Sequence, residues 1–326
     1  MKLDEAAEPL FAKHETFSPR YGWFKKAYDF SLEEEKVFTA DDAPIRMGVG
    51  KNMVPSIRFW GEAAKIIKTQ SKSTQPTLLG HTFFADDGLD PFMEDPGTPW
   101  IVHWLLLAPP TRIPIWWIAF NSFRPVEFRD ENLEAHVNQQ LDIYKHWLKK
   151  PPVDSSQKKD IIRLFHTYGA GLGSKNTKIE DLVNCPLREI GIMQRSGHTD
   201  LCRFVLGPKP GLKAEIITYI VFDYISRLNR DSKSMTLHHL ASAQGGPGLI
   251  LKLSEDDLSA ALTETSTSKE FEIRNSASGI KQLFWNNEPK YFAPKILEKY
   301  YGKSLNTDFQ AGHAGDVAAL QEEVAA

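Results

Sequence analysis

The 326-residue sequence contains only two cysteines, Cys185 and Cys202. That number excludes a disulfide framework, and without companion ligands it excludes a structural zinc site. Both cysteines read as small buried hydrophobes of a protein in a reducing compartment. Long apolar runs are also missing. The richest stretch, Trp100 to Phe120, is cut by Pro109, Pro110, Arg112 and Pro114, and a membrane helix needs about 20 consecutive apolar residues. Lys2 to Glu8 is charged and holds no secretory core, so a cytoplasmic protein with no membrane partner is expected. Charge of one sign is lacking too: 39 basic against 42 acidic residues give a net −3. This excludes a uniformly basic nucleic-acid coat but not a local basic patch. The glycines of GAGLGSK (Gly169 to Lys175) lack the G-x-x-x-x-G-K-[ST] spacing and follow a helical pattern, so they form no phosphate loop.

What is present is a basic helical hairpin, Thr39 to Lys68. Asp42 to Met47 forms a short first helix with Pro44 in its first turn, and Gly48-Val49-Gly50 reverses the chain. Asn52 is placed as the N-cap of a second helix. Pro55 then falls at the third helical position, where its missing N–H has no partner to lose. From Pro44 to Lys72 six basic residues (Arg46, Lys51, Arg58, Lys65, Lys68, Lys72) face one acidic residue, Glu62. A bracing helix, a glycine turn and a basic second helix fit a helix-turn-helix on double-stranded DNA, and they also fit an ordinary amphipathic helix pair. The candidate DNA-binding set is Arg20, Lys25, Arg46, Lys51, Asn52, Ser56, Arg58 and Lys65. A polar run, Thr69 to Thr77, followed by strand-like Leu78 to Phe84 is expected to supply a wing.

The fold class expected is mainly α with small β hairpins (α+β). An N-terminal winged helix-turn-helix-like region spans 1–85, a helical region 86–150 and a C-terminal α+β domain 151–304, with a flexible tail at 305–326. The linker is placed at Pro151 to Gln157. Trp100, Trp104, Trp116, Trp117 and Phe120 sit in dense apolar runs and are expected in the core, with His103 packed among them. Further along, helices are expected at Asp181 to Gly191, Lys213 to Leu228, Thr236 to Ala243 and, capped by Ser254, Glu255 to Leu262. Strands are expected at Leu201 to Leu206, Leu249 to Leu253 and Phe271 to Asn275. This alternation fits further winged-helix-like units and equally a generic α+β domain.

Two groups carry possible chemistry. His14-Glu15 is either an acid/base or ligand pair, or a structural hydrogen-bonding pair. Asp86, Asp87, Asp90, Glu94 and Asp95 offer hard oxygen ligands for Mg²⁺ or Mn²⁺. They serve equally as a turn-rich acidic loop, and their spacing matches no calcium loop.

Four blocks carry a resemblance: HETFSPRYGWFKKAYD (His14 to Asp29), DDAPIRMGVGKNMVPSIRFW (Asp41 to Trp60), GLDPFMEDPGTPWIVHW (Gly88 to Trp104) and NCPLREIGI (Asn184 to Ile192). The chain resembles, to about Tyr301, a bacterial family of unknown-function domains. That family includes the B component, a DNA nickase, of the Ssp DNA phosphorothioation systems. Pro55 stands where relatives are expected to carry a basic residue. The resemblance implies a defence pathway that replaces a non-bridging phosphate oxygen by sulfur. It also implies partners of three kinds: a cysteine desulfurase, an ATPase and an ATP-pyrophosphatase-like enzyme. Two activities follow as expectations: a metal-dependent nicking endonuclease, or a non-catalytic DNA-binding module that recruits the enzymes.

Overall fold

Proline placement decides much of the architecture of this chain, described here from a computed structural model. The structure describes residues 1–169, 171, 185–197, 199, 201–228, 232–267, 269–276 and 279–305. The expected tail, most of the GAGLGSK stretch and the start of the helix expected at Asp181 lie outside the described residues. The chain folds as two compact units, Lys2–Val205 and Leu206 onward. The stretch 151–157, expected as a linker, lies inside the first unit, and most of it is the start of a helix.

In the first unit, α1 (Leu3–Ala6) precedes α2 (Tyr21–Glu33), α3 (Ala43–Met47) and α4 (Met53–Ala63). Gly48 takes φ +64° to end α3, a conformation open to glycine without steric cost. Asn52 is the N-cap position of α4 and Pro55 its third residue, but the Asn52 side chain makes no capping bond. The helix stops at Ala63, five residues short of the expected end, because Lys65 turns to φ +60°. The hairpin follows at once. Strands β1 (Ile67–Gln70) and β2 (Ser73–Pro76) pair antiparallel around Ser71-Lys72. Leu78–Phe84, expected as a strand, is helix α5: the Thr77 side chain caps it by accepting from Gly80 N–H, and Leu79, Phe83 and Phe84 are buried at helical spacing. A seven-residue apolar run does not declare its period, and the cap decides it.

Helices α6 (Thr98–Leu107) and α7 (Pro114–Asn121) are buried at every residue, and Trp60, Trp100, Trp104, Trp116 and Trp117 form the centre of the core. Pro109 and Pro110 lack the N–H groups that would satisfy the Leu105 and Leu106 carbonyls at the end of α6. Lys65 Nζ takes the first at 2.5 Å and Thr111 Oγ1 the second at 2.6 Å. Strand β3 (Glu127–Phe128), α8 (Asp130–Ile143), α9 (Asp154–Thr167), β4 (Met193–Arg195) and β5 (Cys202–Phe204) complete this unit.

The second unit runs α10 (Ala214–Arg227), β6 (Ser234–Thr236), α11 (Leu237–Ser242), α12 (Pro247–Leu251), α13 (Glu255–Thr265), β7 (Phe271–Asn275), β8 (Lys281–Trp285) and α14 (Pro289–Tyr301). Residues 249–253, expected as a strand, hold the end of α12, which starts at Pro247 and is closed by Lys252 at φ +56°.

The chain order repeats. In the second unit a helix, a strand, two or three helices and a hairpin give a three-stranded sheet ordered β6-β8-β7. The series α7, β3, α8, α9, β4, β5 gives the same order, β3-β5-β4. The series α2, α3, α4, β1, β2 follows it in outline, with Glu35 standing for the first strand: its carbonyl accepts from Thr74 N–H of β2 at 2.7 Å. First strand, third strand, second strand, with helices between the first two, is the winged-helix order; among the described residues it occurs in two three-stranded sheets and, in outline, around the two-stranded β1-β2 hairpin.

Candidate nucleic-acid interface

A winged helix meets DNA through its third helix, which lies in the major groove. The three repeats present three different helices at that position. In α4, Val54, Ser56, Ile57, Phe59, Trp60, Gly61 and Ala63 are buried. Gly61 packs so closely that a Cβ there would stand 2.7 Å from Ala27 Cβ on α2. In α13 the exposed or half-buried polar groups include Glu255, Asp256, Asp257 and Glu264, with no basic residue in the helix. In α9, Ser155, Lys158, Lys159 and Ile162 are exposed, Arg163 and His166 half-buried, while Asp160, Ile161, Leu164 and Phe165 face inward.

The residues expected to bind DNA are not brought together. Ser56 is fully buried and donates to the His14 carbonyl at 3.0 Å. Lys65 is buried on the Leu105 carbonyl. Neither reaches a phosphate, and the amphipathic pattern misled because α4 is covered by α2, α3 and β1, with Trp116 of α7 against Trp60, and not by one neighbour. Lys25 is held between Asp29 (2.5 Å) and Asp86 (2.8 Å), which raises its pKa through those hydrogen bonds against the cost of burial. Arg46 pairs with Glu34 at 2.6 Å, Arg58 lies 3.9 Å from Glu62, and the Arg20 guanidinium sits over the Trp23 ring. Lys51 and Asn52 are exposed at the turn before α4, and Lys68 and Lys72 on the hairpin.

The candidate chemical groups are engaged in structure. His14 is buried. Its Nδ1 accepts from Thr16 N–H at 3.1 Å, so the ring proton sits on Nε2, which donates to Asp160 Oδ1 at 2.6 Å. Asp160 also accepts from Ala12 N–H at 2.9 Å. With both ring nitrogens used, His14 has no lone pair for a substrate proton. Its partner is Asp160 of α9, and Glu15 is exposed at φ +49°. Asp90 is buried and accepts from Glu94 N–H, Asp95 N–H and the Thr98 hydroxyl, at 2.9, 3.0 and 2.5 Å. Asp95 accepts from Gly97 N–H at 2.7 Å, Asp86 is taken by Lys25, and Asp87 and Glu94 point to solvent. Among the described residues no three His, Cys, Asp or Glu side chains group to hold a metal ion. The acidic run is a loop organised by Asp90.

Next to α9, the β3-β5-β4 sheet carries an open cleft of about 380 Å³ lined by Glu127, Gln194, Arg195, Ser196 and Arg203 among others. Arg195 is tied to Asp130 at 2.5 Å, and Arg203 donates to Gln194 Oε1 at 2.8 Å. Cys185 and Cys202 are buried free thiols, and burial pushes Cys185 up to about 12. No helix is long and apolar enough to cross a membrane among the described residues.

A family described as "Protein of unknown function (DUF4007)" matches residues 11–301. The chain belongs to that family. Two solved structures match along the whole fold: an SspB crystal structure, 30% identical with a TM-score of 0.88, and a magnesium ion-bound SspB crystal structure, 30% identical with a TM-score of 0.87. Each alignment covers 99% of this chain and 98% of the other. No curated protein matches. The DUF4007 family is thus the one that includes the B component, as the four sequence blocks implied. The sequence itself predicts a helix at Lys158 to Tyr168 after the stretch PPVDSSQ, without assigning it a role, and α9 starts four residues earlier, at Asp154.

Proposed function

We propose that this chain is the double-stranded-DNA-binding component of a bacterial DNA phosphorothioation system. The observation that carries the reading is the winged-helix strand order, present in two three-stranded sheets and in outline around a third hairpin, in a chain that matches SspB along its length. A fold built this way supplies helices and hairpins of the size that fit DNA grooves. Lys51, Lys68 and Lys72, exposed on the first repeat, add phosphate contacts. In this role the chain places the modification machinery on the duplex: a cysteine desulfurase, an ATPase and an ATP-pyrophosphatase-like enzyme.

A second reading, that the chain itself nicks one strand, is favoured by the family resemblance and by the magnesium ion-bound neighbour. Against it, the described residues assemble no group of three metal ligands. Supercoiled plasmid incubated with the full chain, with Mg²⁺ or with chelator, separates the two. A mobility shift with the plasmid still supercoiled supports placement alone. Conversion to open circle in Mg²⁺ only supports nicking. Absence of any shift at low salt overturns DNA binding.

A further inference from the structure

We infer that α9, and not the helix-turn-helix at Thr39–Lys68, is the element that enters the major groove. This rests on the DNA-binding reading above and assigns its reader. The three equivalent helices differ in what they offer a duplex. A groove-reading helix needs a face free of protein, positive charge beside that face, and side chains able to meet base edges.

Helix α4 fails the first requirement, since its side chains are spent on the tryptophan core. Helix α13 fails the second: Glu255, Asp256, Asp257 and Glu264 would face phosphate with like charge. Its neighbouring hairpin also closes onto it, Lys281 reaching Asp256 at 2.8 Å. Helix α9 meets all three. Ser155, Lys159, Ile162 and His166 recur at the i, i+4, i+7, i+11 spacing of a single helix face. Lys158 and Arg163 flank that stripe. The other side, Ile161, Leu164 and Phe165, anchors the helix in the core, and the buried Asp160–His14 pair fixes it to the loop before α2.

The exposed side chains along α9 have uses in a groove. Lys159 makes no ion pair among the described residues, and Lys158 has only an exposed one, to Glu134 at 3.3 Å, of the kind DNA phosphate readily replaces. Ile162 is 53% exposed, and its apolar side chain suits contact with a thymine methyl group. Ser155 can donate to or accept from a base edge.

The test is binding of a labelled duplex to the full chain by fluorescence anisotropy over a range of KCl. Three proteins are compared: wild type, the double variant Lys158→Glu with Lys159→Glu, and Lys51→Glu. Both lysines are exposed, and circular dichroism and thermal melts check that each variant folds. The expected result is a loss of more than about tenfold for the double variant, with the log–log salt slope flattened by roughly two as two phosphate contacts vanish. Lys51→Glu should flatten the slope by no more than about one. The inference is overturned if the double variant binds as wild type does, above all if Lys51→Glu alone abolishes binding. The DNA-binding reading survives that result. If wild type itself fails to bind, both fall.

Discussion

Replacing Asp160 by Ala should destabilise the first unit by about 3–5 kcal/mol. The carboxylate is buried, and its Oδ1 accepts from the buried His14 Nε2–H at 2.6 Å and the half-buried Ala12 N–H at 2.9 Å. Its removal leaves both without acceptors, at about 1–3 kcal/mol each, plus the void of the lost carboxyl group. The loop it holds also stores strain, with Ala12, Glu15 and Thr16 all at positive φ. Asp160→Asn keeps an oxygen in the place of the Oδ1 that accepts both bonds, loses only their charge assistance, and should cost less than Asp160→Ala. Urea unfolding followed by tryptophan fluorescence suits the test, because His14 stacks on Trp60 with ring centroids 6.2 Å apart and the planes 14° from parallel. His14→Ala should fall in the same range. The reasoning is refuted if His14→Ala and Asp160→Ala unfold as wild type does while losing plasmid nicking. That outcome would make the pair a chemical centre and not a clasp.

Three further outcomes follow from the same packing. Lys65→Met should lose about 1–3 kcal/mol, because the Leu105 carbonyl that Pro109 leaves unpaired loses its donor; the salt slope of DNA binding should not change, whereas a DNA-facing lysine would flatten it by about one. Thr16→Gly should stabilise by about 0.5–1 kcal/mol, since φ +64° costs a β-branched residue more than the entropy glycine adds; a lower melting temperature contradicts this. Cys185 should resist thiol reagents at pH 8 until urea is added. Its thiol pKa is raised by burial from 9.0 to about 12, so the unfolded chain releases this proton first as pH rises. The group's contribution is therefore fully present below about pH 9 and declines by ~1.4 kcal/mol per unit above it. Comparison of wild type with Cys185→Ala in urea between pH 8 and 11 measures the decline; a difference independent of pH would count against it.

Legibility of the fold in the sequence varied with the kind of signal. Where a local cap or proline rule acts alone, the reading holds for position: α4 starts after Asn52 with Pro55 as its third residue, though the Asn52 side chain makes no cap, Ser254 caps α13, and the tryptophan runs are core. Short runs such as Leu78–Phe84 and Leu249–Leu253 read as strands, since five to seven residues carry no decisive period; they belong to helices, the first capped by Thr77 and the second begun at Pro247. The site was less legible than the fold. Lys65 and Ser56 look like surface residues of a basic helix, and only packing of α4 against several neighbours turns them inward. His14 and Asp160 lie 146 residues apart, so their pairing leaves no mark in local sequence. Proline-rich residues beside a polar run suggested a linker at 151–157, although Pro151-Pro152 only precede the exposed start of α9.

The most direct test of the account is the salt dependence of duplex binding by the unmodified full chain. Binding that tightens as KCl is lowered, with a log–log slope of several units lost stepwise on reversing Lys158 and Lys159, is the predicted result. No binding at low salt, or affinity indifferent to both salt and these two charges, would contradict it.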